Sequence, residues 1–341
     1  MSEKKLKKSD FESDQDVRWC PGCGDYSILA TVQRFLPALG KEPHEFAFIS
    51  GIGCSSRFPY YMNTYGFHTI HGRAPSFATG VKTSKPELSV WMITGDGDAL
   101  SIGGNHVLHV LRRNVDINIL LFNNQIYGLT KGQYSPTSEV GKLTKSSPQG
   151  SVDQPLNPLA VALGSNASFV ARSLDVDAKH LTSMLQASED HRGTSFLEIY
   201  QNCNIFNDGA FDNVRERDAR AERQLILEDG KPMIFGKEKN KGIKISNFKA
   251  EVVEFNPEED GAPEKAGVCL HDSSNRVLAH ILAELPRTDE FPVPMGVIYQ
   301  EQRPVFDEDM CKAVTKNDLD DNQINEKLNS LFNSGNTWAV S

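Results

Sequence analysis

With 341 residues, 39% of them hydrophobic and 24% charged, the chain has material for one large α/β domain or two smaller ones. A formal net charge of −9 argues against bulk attraction to nucleic acid or anionic lipid. Apolar runs such as Ile119 to Phe122 fall far short of the ~18 residues a membrane span needs, and MSEKKLKKSD has no apolar stretch behind it, so a cytoplasmic location is expected.

Along the chain, Lys4 to Lys8 reads as a solvated run in a tail over 1–16. Tyr26 to Leu39 carries the apolar spacing of a helix, and the strand-like Glu45 to Ser50 leads into the loop GIGCSS at 51–56. Leu88 to Thr94 predicts a buried strand running into GDGD at 95–98. A helix over Asn105 to Arg113 follows, then a second strand, Ile117 to Phe122, that ends in Asn123-Asn124. This βαβ order makes the two strands parallel and puts both following loops at the same carboxyl edge of the sheet. Pro158 to Leu163 and Val176 to Glu189 read as helices, Phe169 to Arg172 as a strand, and Thr194 to Tyr200 as another buried strand ending in the loop QNCN. Past residue 205 the chain is more charged and less periodic: Gly242 to Phe255 alternates like a strand or hairpin arm, and Ser274 to Leu285 looks helical. The expected architecture is α/β, a mostly parallel sheet flanked by helices over 17–205, with a C-terminal extension over 206–341.

Asp96 falls in a Gly-flanked turn at a strand end, where the backbone can approach an anion closely and the following helix offers free N–H groups. A carboxylate there repels phosphate unless a cation intervenes. Asn124 holds the equivalent place after the neighbouring strand, so a carboxylate, an amide oxygen and a nearby backbone carbonyl suit a shared Mg²⁺. The paired GDG and NN resemble the diphosphate motif of thiamine-dependent enzymes. That resemblance makes Asp96, Asn124 and the carbonyl of Ile126 the metal ligands, with Gly97, Asp98, Gly128 and Leu129 lining the diphosphate. The other glycine loop, GIGCSS, also follows a strand, but Ser56 replaces the third glycine of a dinucleotide fingerprint and no ribose-binding acid follows at the right interval.

Six cysteines without an export signal point to ligand or catalytic roles. Cys20-Pro-Gly-Cys23 presents two sulfurs from one tight turn, and Cys54 and Cys203 each follow a strand on the expected carboxyl edge. Four converging thiolates suit zinc or a [4Fe-4S] cluster, and spacing does not separate them. Chemistry beside a thiamine site favours the cluster: decarboxylation of a 2-oxoacid on thiamine leaves an electron-rich enamine whose electrons a one-electron carrier can remove singly, and zinc has no redox chemistry. Cys269 and Cys311 read as structural thiols.

Taken as a set, WCPGCGD, GIGCSS, TIHGRAPSFATG, GDGD and NNQIYGLTKGQ resemble the beta subunits of 2-oxoacid:ferredoxin oxidoreductases, especially the 2-oxoglutarate branch, through residues 17–205. The resemblance implies thiamine diphosphate, Mg²⁺ and one [4Fe-4S] cluster, with coenzyme A as cosubstrate. It implies conversion of 2-oxoglutarate to succinyl-CoA and CO₂, with electrons passed to ferredoxin. Carried over by residue, Ile52, Gly53, Cys54 and Ser55 border the cofactor and His71 contacts it. An alpha subunit would supply the aminopyrimidine glutamate, giving an α₂β₂ assembly in which the 206–341 extension packs on both core and partner. Arg57, directly after GCSS, is a candidate partner for a substrate carboxylate, and Leu129 could shape the pocket beside the thiazolium. The alternatives are a pyruvate or broad 2-oxoacid enzyme, and a non-redox thiamine decarboxylase or synthase subunit holding zinc.

Overall fold

The structure, a computed structural model, describes residues 5–286, 288–314 and 319–338; Lys4 of the basic run and the last three residues of the extension lie outside them. Strands follow in chain order as β1 (Phe46–Ser50), β2 (Tyr65–His68), β3 (Ser89–Gly95), β4 (Asn118–Asn123), β5 (Phe169–Leu174) and β6 (Ser195–Tyr200). Then come β7 (Gln224–Leu227), β8 (Ile234–Phe235), β9 (Lys241–Ser246), β10 (Lys249–Glu254) and β11 (Val293–Gln300). The main sheet has the order β2-β1-β3-β4-β6-β5-β11-β7, and only the β11–β5 pairing is antiparallel.

Why these segments become central strands is visible in their alternation. Val90 and Met92 of β3 and Ile119 and Leu121 of β4 face one core, while Trp91, Ile93, Leu120 and Phe122 face a second core on the opposite side. A strand apolar on both faces must be covered on both. Helices α1 (Asp25–Phe35) and α6 (Ala178–Asp190) bury Ile28, Val32, Leu181 and Leu185 on the second face. On the first face lie α2 (Ala74–Ser84), α4 (Gly104–Arg113) and α5 (Pro158–Gly164), with the short α3 (Asp96–Leu100) between β3 and α4. Truncating any of these core side chains to alanine would cost about 2–5 kcal/mol.

The first predicted helix is shorter than its pattern. Pro37 cannot donate within a helix, so the chain tightens into a 3₁₀ turn over Leu36–Leu39, and Gly40 ends it at φ 69°. The tail is pinned as well: Phe11 is fully buried, edge-on to Phe46 at 5.8 Å, and its carbonyl accepts the Asn63 N–H.

The extension over 206–341 supplies β7 and β11 to the main sheet. Pro294 and Gly296 interrupt the strand pattern of β11, and Gly296 has φ 111° with Leu227 packed against it, close enough to meet an added Cβ at 2.9 Å. Gly242 to Phe255 forms the hairpin β9–β10 through a two-residue Asn247–Phe248 turn at φ 49° and 62°, the left-handed pair that suits the strand twist. Ser274 to Leu285 contains the helix Arg276–Ala283. No helix among the described residues is long and apolar enough to cross a membrane.

Candidate active site

Strands β1, β3, β4 and β6 are consecutive in the sheet and parallel, so the loops bearing Cys54, Asp96, Asn124 and Cys203 emerge side by side. Between the first three loops lies a cavity of about 110 Å³. Ile52, Gly53, Cys54 and Ser55 line it from β1 and His71 from the turn beyond β2. Asp96, Gly97 and Asp98 enter from β3, and Asn124, Ile126, Gly128 and Leu129 from β4.

Asp96 is 2% exposed, and burial pushes its carboxyl up to about 6 against the opposing effect of its hydrogen bonds. Its Oδ2 accepts from Ser135 Oγ at 2.5 Å and Thr137 Oγ1 at 2.6 Å. A buried carboxylate without a cation is costly, and a divalent ion would restore its charged form. The donors gathered here are hard oxygens, which fits Mg²⁺. Asn123 is turned to structure, donating to Glu198 and accepting from Thr137, and leaves Asn124 to the cavity. Gly97 is obligatory, because a Cβ there would lie 2.2 Å from the Tyr127 ring, whose hydroxyl donates to the Gly97 carbonyl at 3.2 Å.

The Asp98 carboxylate ties loops together: it accepts from Ile52 N–H (3.0 Å), Gly72 N–H (2.8 Å), Thr94 Oγ1 (2.8 Å) and His71 Nδ1 (2.5 Å). The last bond fixes the His71 tautomer, leaving Nε2 free to meet a ligand. After GIGC the chain forms the 3₁₀ helix Ser55–Tyr61, so the long helix of a dinucleotide site is missing.

The four cysteines Cys20, Cys23, Cys54 and Cys203 line a second cavity of about 220 Å³, together with Arg18, Trp19, Arg57 and Lys131. Among the described residues no three His, Cys, Asp or Glu converge on a point that would suit a single metal ion. The four thiols line one cavity. Burial, then the nearby Asp25, pushes the Cys23 thiol far above its ordinary range and Cys54 up to about 12. Such thiols ionise when a metal supplies the compensating charge. Asp25 is itself buried at the start of α1, and desolvation raises it to about 7. Trp19 Nε1 donates to the Cys54 carbonyl at 2.7 Å.

The two cavities share a wall. Cys54, Asn124, Gly128 and Leu129 line both, and a Cβ on Gly128 would sit 3.5 Å from Cys54 Sγ and 3.6 Å from Cys203 Sγ. Arg57 belongs to the cysteine cavity and its Nη1 donates to the Arg18 carbonyl at 2.8 Å. Cys269 and Cys311 line neither cavity. Sequence reasoning missed Tyr127, Ser135, Thr137 and Gln201. Of these Tyr127 and Gln201 carried a signal, their places in NNQIYGLTKGQ and QNCN.

Residues 51–199 match the thiamine pyrophosphate enzyme C-terminal TPP-binding domain. The chain is 49% identical to the 2-oxoglutarate oxidoreductase subunit KorB of Mycobacterium tuberculosis (strain ATCC 25618 / H37Rv), over 98% of this chain and 88% of that one. It is 45% identical to the 2-oxoacid:ferredoxin oxidoreductase 1 subunit beta of Aeropyrum pernix, over 56% of this chain and 60% of the relative. Its fold matches a solved 2-oxoglutarate:ferredoxin oxidoreductase from Magnetococcus marinus, with 2-oxoglutarate, coenzyme A and succinyl-CoA bound, at a TM-score of 0.73 and 33% identity, covering 94% of this chain and 95% of that one. By its near full-length identity to one such subunit and its shared fold with another member, the chain belongs to the beta-subunit family of the 2-oxoacid:ferredoxin oxidoreductases.

Proposed function

We propose that this chain is the thiamine-diphosphate and iron–sulfur subunit of an enzyme that converts 2-oxoglutarate and coenzyme A to succinyl-CoA and CO₂, passing electrons to ferredoxin. The observation that carries this reading is the wall shared by the diphosphate cavity and the cysteine cavity. Thiamine diphosphate supplies the electron sink for decarboxylation, and a [4Fe-4S] cluster accepts electrons one at a time.

The protein's own residues then have these tasks. Asp96, Asn124 and the Ile126 carbonyl hold Mg²⁺, while Gly97, Asp98, Gly128 and Leu129 border the diphosphate. Ser135 and Thr137 hold the Asp96 carboxylate in place. His71, oriented by Asp98, offers Nε2 to the cofactor or substrate. Cys20, Cys23, Cys54 and Cys203 ligate the cluster, and Gly128 lets the cofactor loop lie directly against two of the sulfurs. Short separation across this shared wall favours electron transfer. An alpha subunit completes the site with the aminopyrimidine glutamate, in an α₂β₂ assembly on which the 206–341 extension also packs, and the complex works in the cytoplasm.

The test is anaerobic co-purification with the alpha subunit, iron and acid-labile sulfide analysis, and CoA-dependent dye reduction with 2-oxoglutarate or pyruvate. Four iron and four sulfide per chain with preference for 2-oxoglutarate are expected. Zinc in place of iron would sink the redox reading, and equal use of pyruvate would make the enzyme a broad 2-oxoacid oxidoreductase.

A further inference from the structure

Gln201 is fully buried where β6 ends, beside the end of β4. Its backbone N–H donates to the Asn123 carbonyl at 2.9 Å. In its side chain, Oε1 accepts from Asn124 Nδ2 at 2.8 Å, and Nε2 donates to the Asn202 carbonyl at 2.6 Å and to Cys23 Sγ at 3.3 Å. A flipped carboxamide would set its NH₂ against that of Asn124 and its oxygen against a carbonyl and a sulfur, so the network fixes the orientation. With its nitrogen committed to Gln201, Asn124 presents its oxygen, which accepts the Ile126 N–H at 3.2 Å and keeps a second lone pair for Mg²⁺.

We propose that Gln201 is a positioning residue that couples the diphosphate–metal site to the iron–sulfur site, orienting Asn124 on one side and donating an N–H···S bond to Cys23 on the other. This rests on the reading of the two cavities given above. Hydrogen bonds to cluster sulfurs raise the reduction potential. If Asn124 Oδ1 held a metal, its Nδ2–H would be more polarised, and the bond to Gln201 Oε1 and, through the same carboxamide, the bond to Cys23 would strengthen. The cluster therefore becomes easier to reduce when the cofactor is seated, and the reverse linkage follows of necessity: a reduced cluster favours the seated cofactor.

The experiment uses the assembled alpha–beta enzyme, with redox titration of the cluster followed by electron paramagnetic resonance, with and without Mg²⁺ and thiamine diphosphate. Cofactor affinity is measured by calorimetry. In the parent enzyme the potential rises on cofactor binding. Gln201→Met lowers the reduced-to-oxidised ratio at fixed potential about tenfold, or about 59 mV for one electron, weakens cofactor binding about tenfold, and abolishes the cofactor-induced shift. Gln201→Glu keeps an acceptor for Asn124 but sets an oxygen in place of the donor to Cys23 and adds a buried negative charge, so it lowers the potential at least as far as Gln201→Met and likewise abolishes the cofactor-induced shift. Should the Met variant fail to assemble, the Glu variant decides alone. A parent-like potential in Gln201→Glu, or a surviving cofactor-induced shift in Gln201→Met, overturns the coupling in an enzyme that contains iron. Absence of iron from the parent enzyme overturns the cavity reading and this inference with it.

Discussion

At the scale of single residues, Asp96 and Arg57 test the site from its two cavities. Asp96 is the one carboxylate proposed to face the metal, and its charge is disfavoured by burial until a cation arrives. Asp96→Ala should weaken Mg²⁺-dependent thiamine diphosphate binding by about 100-fold or more in calorimetry; unchanged affinity would remove the metal assignment. That Asp96 and Asn124 stand at neighbouring strand ends around one cavity was legible because glycines and strand ends punctuate them. Ser135 and Thr137 were not, since hydroxyls that reach back to Asp96 from a later loop leave no spacing signal. Arg57 lies by Cys54 among the walls of the cysteine cavity. If its guanidinium pairs with a substrate carboxylate, Arg57→Ala lowers kcat/KM roughly 10- to 100-fold with cluster and cofactor intact, and Arg57→Lys restores part of it. Parent-like turnover of every 2-oxoacid would leave Arg57 as a structural cation that donates to the Arg18 carbonyl.

At the scale of elements, one buried carboxylate packs between the segments that carry Cys23 and Cys203. Asp175, just beyond β5, has no exposed side-chain surface and accepts from Arg215 Nε at 2.9 Å and Nη2 at 3.1 Å. It also accepts the Asn202 N–H at 2.9 Å, beside Cys203. Gly24, beside Cys23, must be glycine because a Cβ there would come within 2.0 Å of Asp175 Oδ2. Arg215 lies on the short helix α7 (Asp212–Arg215), in the region the composition marked as extension. Removing it strands a buried charge at a cost of about 3–5 kcal/mol, so Arg215→Ala should lower Tm by several degrees and reduce bound iron. An unaltered Tm and iron content would show that Asp175 is held by its backbone donors alone. The central strands were readable because they are apolar on both faces. The edge strand β2, exposed throughout, and β11, broken by Pro294 and Gly296, were not.

At the scale of the whole molecule, stability should depend on pH through His191, which lies between α6 and β6 and is buried against Phe169, with its Nε2 2.8 Å from Ser168 Oγ. Burial pushes it down to about 4, Arg303 adding to the effect while Asp116 and Glu301 oppose it. Its unfolded value is near 6.5, so the unfolded chain takes up the proton first on acidification. The stabilisation is complete above pH 6.5 and is lost as pH falls through about 4. Tm should therefore drop by several degrees between pH 7 and 4, and His191→Asn should flatten that dependence. Equal slopes in parent and variant would assign the acid sensitivity to other groups.

The sequence by itself determined the βαβ core, the two polar loops at its carboxyl edge and the residue types that suit a metal–diphosphate and a four-thiolate site, because strand alternation and glycine turns are local and leave a pattern. It also carried the family motifs, since WCPGCGD, GIGCSS and NNQIYGLTKGQ are contiguous. Only the tertiary structure decided that the extension completes the sheet through β7 and β11, that Asp98 spends its carboxylate on holding loops, and that Gln201 touches both Asn124 and Cys23. Those outcomes depend on which strands become neighbours. Cys23 and Gln201 are far apart in the chain, and what brings them together is the burial of two sheet faces, a long-range effect that no local spacing encodes.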